Sequence, residues 1–171
     1  MALSTDNLIL GESDQLLATQ SSAEVREATV ALAQQARRTL DIFSQQLDPR
    51  IYDNQAFVQA LKSLATYSRH SLIRILIKDS TPVVKQGSRV VQLSYRISSR
   101  IQIRKPPTEY HDMAEEVFIA DKKGLLHRRT GTRYEGELNF NAAVQSRRLL
   151  RLFDECWEKS GADPELRHLV L

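Results

Sequence analysis

Cysteine occurs once, at Cys156, which rules out a disulfide within the chain and suits a reducing cytoplasm. Histidine is sparse too: His70, His111, His127 and His168 share no spacing with one another or with the cysteine that a metal site would need. The six glycines are dispersed and build neither a phosphate-cradling loop nor a dinucleotide fingerprint. No metal and no cofactor is therefore expected. Aromatic residues make up only 6% and barely interleave with the basic ones, so no platform for stacking bases is evident. No stretch approaches the ~20 consecutive apolar residues that span a bilayer. The N-terminus carries no Lys or Arg ahead of an apolar run, so neither a membrane partner nor a secretory leader is expected.

What is present fits a soluble globular protein. The 171 residues are 42% hydrophobic and 26% charged, enough for one domain with a real core. Residues 1–20 are polar, small and weakly periodic, and read as a flexible tail ahead of a domain over 21–171. That tail holds Asp6, Glu12 and Asp14 and no base, so setting it aside raises the formal charge from +3 to +6. Between Ser80 and Thr108 stand Lys85, Arg89, Arg96, Arg100, Arg104 and Lys105 with no acid among them. Such a patch attracts phosphate, nucleic acid or an acidic partner, or else serves as a solvated helix face and a charged sheet edge.

Periodicity gives the elements. Ser21 and Glu24 form a capping box ahead of a helix to about Arg37, followed by a short strand over Thr39–Phe43. Asn54 caps a second helix, and Leu72–Ile77 is nearly all apolar, with Arg74 the exception, as a strand covered on both faces is. Pro82 opens a third helix running to Ile97, and Ile101–Arg104 is a third strand. Val117–Ile119 and Leu125–Leu126 flank Lys122-Lys123-Gly124 as a hairpin, and a strand near Arg133–Leu138 precedes a last helix from about Asn141 to Lys159. Alternating strands and helices followed by a hairpin imply a three-layer α/β domain with a mixed sheet and helices on both faces.

Within that order, Ala114-x-Glu116-x4-Asp121 and Gly136-Glu137-Leu138-Asn139 resemble the motif of the phospholipase D superfamily, His-x-Lys-x4-Asp with a later Gly-x-x-Asn. The resemblance covers about residues 35–160 and implies a phospholipase D-like half domain. In that superfamily the His is the nucleophile, while the Lys and Asn hold the phosphoryl oxygens. Here Ala114 and Glu116 occupy the His and Lys positions. A methyl group cannot attack phosphorus and a carboxylate repels phosphate, so catalysis by that route is not expected. Asp121, Arg128, Arg133 and Asn139 are the expected residues of a vestigial anion-binding site. Relatives of this fold pair two half-sites, which makes a homodimer an expectation.

Further stretches resemble an uncharacterised bacterial domain family, found alone or appended to GNAT acetyltransferases. These are Leu40-Asp41-Ile42-Phe43 with Asp48-Pro49 and Tyr52, Arg74–Ile77 with Asp79, Ser99–Arg104, and Arg133-Tyr134-Glu135-Gly136. The match runs from about Ala36 to the end and implies an acetyltransferase-type partner, since nothing in the chain resembles an acetyl-CoA loop. Asp41, Asp48, Tyr52 and Asp53 gather near the first strand's end, where open α/β sheets bind ligands, but they read as turn and capping residues. Cys156, between Phe153 and Trp157, reads as core.

Three functions follow as expectations. The first is a non-catalytic, cytoplasmic binding domain for an anionic ligand or a partner protein. The second is a phosphodiesterase or nuclease with an unconventional site using His111, Glu116 or Asp121. The third is a nucleic-acid-binding module.

Overall fold

The computed structural model describes residues 3–170. Among them, no helix is long and apolar enough to cross a membrane. Seven strands form one sheet, named here in chain order: β1 (Leu17–Thr19), β2 (Thr39–Ser44), β3 (Leu72–Ile77), β4 (Ile101–Arg104), β5 (Glu116–Ala120), β6 (Gly124–Arg128) and β7 (Gly136–Asn139). Across the sheet they run β1-β7-β6-β5-β2-β3-β4. The strands β2, β3 and β4 are parallel, while β5 joins β2 antiparallel and the rest continue so to β1. The sheet is mixed, as expected.

The helices are α1 (Ser22–Gln35), α2 (Pro49–Tyr52), α3 (Gln55–Tyr67), α4 (Thr81–Gln86), α5 (Arg89–Arg96) and α6 (Ala143–Lys159). Ser21 Oγ accepts the Glu24 N–H and Asn54 Oδ1 accepts the Phe57 N–H, so both caps read from the sequence are in place. Alternation along β2 and β3 then sends side chains to two cores. Leu40, Ile42, Ile73 and Ile75 pack with Val25, Leu32, Phe57, Leu61 and Val91 of the helices on one face. Phe43 and Leu76, with Val117 and Ile119 of β5, pack against Leu149, Phe153, Cys156 and Trp157 of α6 on the other. Three layers result, with α6 alone on its side.

Three expectations need correcting. Residues 3–20 are docked on the domain and do not trail from it. The Gly11 N–H donates to Phe140 O at 2.8 Å, Gln35 bonds the Leu10 N–H and Leu8 C=O, and β1 pairs with β7. Their few apolar residues, Leu8, Leu10 and Leu17, suffice because they land on an already formed core. The helix expected from Pro82 to Ile97 is two helices: Gly87, at φ 78°, ends α4, and Ser88 Oγ caps α5 through the Val91 N–H. The last strand starts at Gly136, three residues later than expected, because residues 130–135 fold as a loop over the sheet's end.

Candidate functional site

The motif segment is β5 itself, with Glu116 as its first residue and Asp121 just past its last. The two carboxylates therefore sit at opposite ends of the sheet. Asp121 adopts φ 51°, a left-handed turn that Asp tolerates better than most residues. Its carboxylate accepts the N–H groups of Arg37, Arg38 and Thr39 at 2.8–3.1 Å, tying the start of β2 to the hairpin. This is a structural cap.

Glu116 lies where β2 and β3 end, the place an open α/β sheet presents to ligands. It is only 5% exposed. Its Oε1 accepts from Ser44 Oγ at 3.0 Å and from the Gln45 N–H at 2.8 Å. Its Oε2 is 3.5 Å from Arg128 Nη2, an ion pair without a hydrogen bond. Burial pushes the Glu116 carboxyl pKa up, against the opposing pull of Arg128 and the two donors. Arg128 is itself buried and donates to Arg133 O at 2.6 Å.

The wall is built from the 131–134 loop. A side chain at Gly131 would meet Gln45 Cγ at 2.4 Å and Glu116 Oε1 at 3.1 Å, so the glycine permits close approach. Tyr134 donates its hydroxyl to Asp48 Oδ2 at 3.0 Å, with the Arg50 and Arg128 guanidiniums 5.5 and 5.6 Å from its ring centre. Partial burial, with that bond to Asp48, raises the Tyr134 phenol pKa. The remaining space is an open pocket of about 500 Å³ bordered by Gln46, Asp48, Arg50, Thr132 and Tyr134. Behind this pocket the buried Ser44 Oγ donates to Glu116 and accepts the Leu47 N–H; the hydroxyls that line it are those of Thr132 and Tyr134. Among the described residues no histidine or cysteine lines it, the Tyr134 hydroxyl donates to Asp48 and the Thr132 hydroxyl pairs with Thr130, and the donors around Glu116 already hold a carboxylate.

The expected vestigial site does not converge. Arg133 is exposed and lends only its backbone carbonyl to Arg128. Asn139 pairs with Leu125, far from the Arg128–Glu116 end, and its side chain donates to Asp14 Oδ1 at 2.9 Å. The Gly136–Asn139 segment lies one strand beyond β6, so it does not border Glu116. The alternative catalytic set fails on the same geometry. His111 is exposed after a 3-10 turn, its carbonyl taking Lys78 Nζ, while Glu116 and Asp121 are a strand's length apart. Among the described residues no group of His, Cys, Asp and Glu could hold a metal. His168's side chain lies outside them.

The basic patch is dispersed as well. Lys85, Arg89 and Arg96 are exposed on α4 and α5, with Arg89 Nε 3.7 Å from Asp53. Arg100 donates to Ser68 O, and Arg104 donates to Trp157 O while stacking 4.2 Å above its ring centre on the other face. Lys105 pairs its backbone with Gly161. Asp48 caps α2, as read, whereas Asp41 is not a turn residue but is buried in mid-strand against Arg74 at 2.7 Å. Sequence reasoning missed two groupings that only the fold brings together. One is the His127–Glu115 pair. The other is Arg74, Lys122, Arg147 and Arg151 around a pocket of about 460 Å³.

No curated protein matches the chain in sequence. In structure it is similar to the phospholipase D family member Nuc from Salmonella typhimurium, at TM-score 0.60 and 15% identity over 85% of this chain and 95% of that one. NucT from Helicobacter pylori gives TM-score 0.62 and 14% identity over 87% and 99%. TrmBL2, an archaeal chromatin protein with a novel mode of DNA binding, gives 0.61 and 12% over 86% of this chain, which spans only 53% of TrmBL2. These likenesses show a phospholipase D-like fold. A family described as a domain of unknown function (DUF7931) matches residues 21–169.

Proposed function

The chain belongs to the DUF7931 family, and on that footing we propose that it is a non-catalytic phospholipase D-like domain that works by binding. The observation that carries this reading is Glu116. Its carboxylate stands where the superfamily motif places a lysine, and it takes the Ser44 hydroxyl, the Gln45 N–H and the Arg128 charge for itself. A phosphodiester entering there meets a buried acid in place of a clamp, and no histidine or cysteine lines the pocket to attack it.

The anionic partner this reading calls for binds elsewhere on the surface. An acetyltransferase-type protein and a second copy of the chain are the other partners in view, from the resemblances that the motifs carry. The test of the non-catalytic reading is hydrolysis of bis-p-nitrophenyl phosphate by the full chain, with and without divalent metal. The expected result is no turnover above the protein-free background. Turnover that disappears in His111→Ala overturns it in favour of an unconventional hydrolase.

A further inference from the structure

We propose that the N-terminal half of α6, with the β5–β6 turn beneath it, is a binding surface for the phosphodiester backbone of nucleic acid. The proposal rests on the reading of this domain as a binding module and gives that module its partner.

The first observation is how charge is distributed along α6. From Ala143 to Leu152 the helix has no acid but carries Arg147, Arg148 and Arg151, all exposed. Its acids, Asp154, Glu155 and Glu158, lie in the C-terminal half. The helix dipole favours the opposite arrangement, acids first and bases last. Ala142 at the N-cap offers no side-chain acceptor either. Helix stability does not account for these arginines.

The second observation is what the fold sets beside them. Arg147 and Arg151, one turn apart, line the 460 Å³ pocket together with Lys122 from the hairpin turn and Arg74 from β3. The acid there, Asp154, is held by Arg74 at 2.9 Å, and Arg74's Nε is held by Asp41 at 2.7 Å. The acid of the turn, Asp121, is committed to three backbone N–H groups. Among the described residues Lys122, Arg147 and Arg151 make no ion pair. On the helix's other flank Arg148 shares a groove of about 570 Å³ with Arg129 and Arg133, but Glu135 and Glu137 line it too and offset their charge. The unpaired positive charge is thus concentrated on the Lys122–Arg147–Arg151 flank of the helix.

Guanidiniums grip phosphate oxygens in pairs, and a row of them suits a chain of phosphates better than one small anion. No Phe, Tyr or Trp lines either groove, so the contact is with the backbone and does not read sequence. The Lys122–Arg147–Arg151 flank lies on the α6 side at the Asp121 end of β5, away from Glu116.

The test is fluorescence anisotropy of a labelled 20-nucleotide single strand, and of its duplex, titrated with the full chain between 50 and 200 mM salt. Binding is expected to weaken with salt at a log–log slope of about −2 to −4, as for three or four neutralised phosphates. Arg147→Gln/Arg151→Gln should weaken it at least ~tenfold at the lower salt, with an unchanged circular dichroism spectrum. Arg89→Gln/Arg96→Gln should leave it unchanged. Absence of binding at low salt, or equal affinity in the α6 variant, overturns the proposal. So does complete displacement by millimolar AMP, which marks a small-ligand site. Cleavage of the labelled strand would instead sink the non-catalytic reading while leaving the surface standing.

Discussion

Arg128 faces Glu116 across the β5–β6 ladder, 3.5 Å apart and both withdrawn from solvent. A pair buried this deeply is costly to half-remove, because the survivor is left charged without a partner. Arg128→Met is therefore expected to cost about 3–5 kcal/mol of unfolding free energy in urea. Adding Glu116→Gln should recover part of that loss. A double variant no more stable than Arg128→Met would show that Arg128 acts through packing and its bond to Arg133 O alone.

The same carboxyl gives a pH dependence. Its pKa is raised by burial above the ordinary 4.5, so between those values the folded chain keeps a proton that the unfolded chain has released. Unfolding then sheds protons, and Glu116's contribution to stability falls as pH climbs through that window. Compared with Glu116→Gln, the natural protein should lose ground as pH rises above 4.5 and level off once the folded carboxyl has ionised. Thermal melts of both proteins across the range read the difference directly; a gap that does not move with pH refutes it.

Asp121 should prove structural. Asp121→Ala strips three N–H groups of their acceptor and puts a residue with a Cβ but no local hydrogen bond at φ 51°. The expected cost is about 2 kcal/mol, whereas Asp121→Asn, which keeps one acceptor and tolerates the turn, should cost about half as much. Guanidinium midpoints decide this, and equal midpoints for Ala and the natural residue would show that water satisfies those donors.

Removing residues 1–19 deletes β1 and the packing of Leu8, Leu10 and Leu17, and bares the edge of β7. A loss of about 3 kcal/mol is expected from the apolar area alone, together with concentration-dependent association through the open edge. An undiminished unfolding midpoint would restore the view of this segment as a dispensable tail.

Cys156 is buried under α6, and burial raises its thiol pKa, with Ser160 a weaker opposing influence. Its reaction with Ellman's reagent at pH 8 should be slow in the native protein and fast in urea. A native rate near that of a free thiol would mean α6 opens readily from the sheet.

The elements themselves were legible, because their signals are local. Ser21 and Asn54 cap where expected, and Leu72–Ile77, apolar but for Arg74, is indeed covered on both faces. The break at Gly87-Ser88 carried a readable signal, a glycine followed by a capping serine, that the valine periodicity on either side overrode. The site was less legible, since it depends on register. Nothing in sequence puts Arg128 opposite Glu116, or Asp121 within reach of Arg37, which is 84 positions away. Basic residues close in sequence, Lys85 to Lys105, point to different faces. Those that gather, Lys122 with Arg147 and Arg151, come from a hairpin and a helix that meet only in the finished fold.

Within this sheet β1 comes first along the chain and β7 last, and Thr19 bonds Tyr134 across 115 positions. On a ribosome adding ~5–20 residues per second, β1 waits roughly 6–25 seconds for its neighbour. The parallel unit of β2, β3 and β4 can assemble in that interval, while the N-terminal strand has nothing to pair with. A nascent chain stalled before Gly136 is therefore left with two unfinished margins, an unclaimed β1 and an uncovered β6. The emergence of β7 closes both at once.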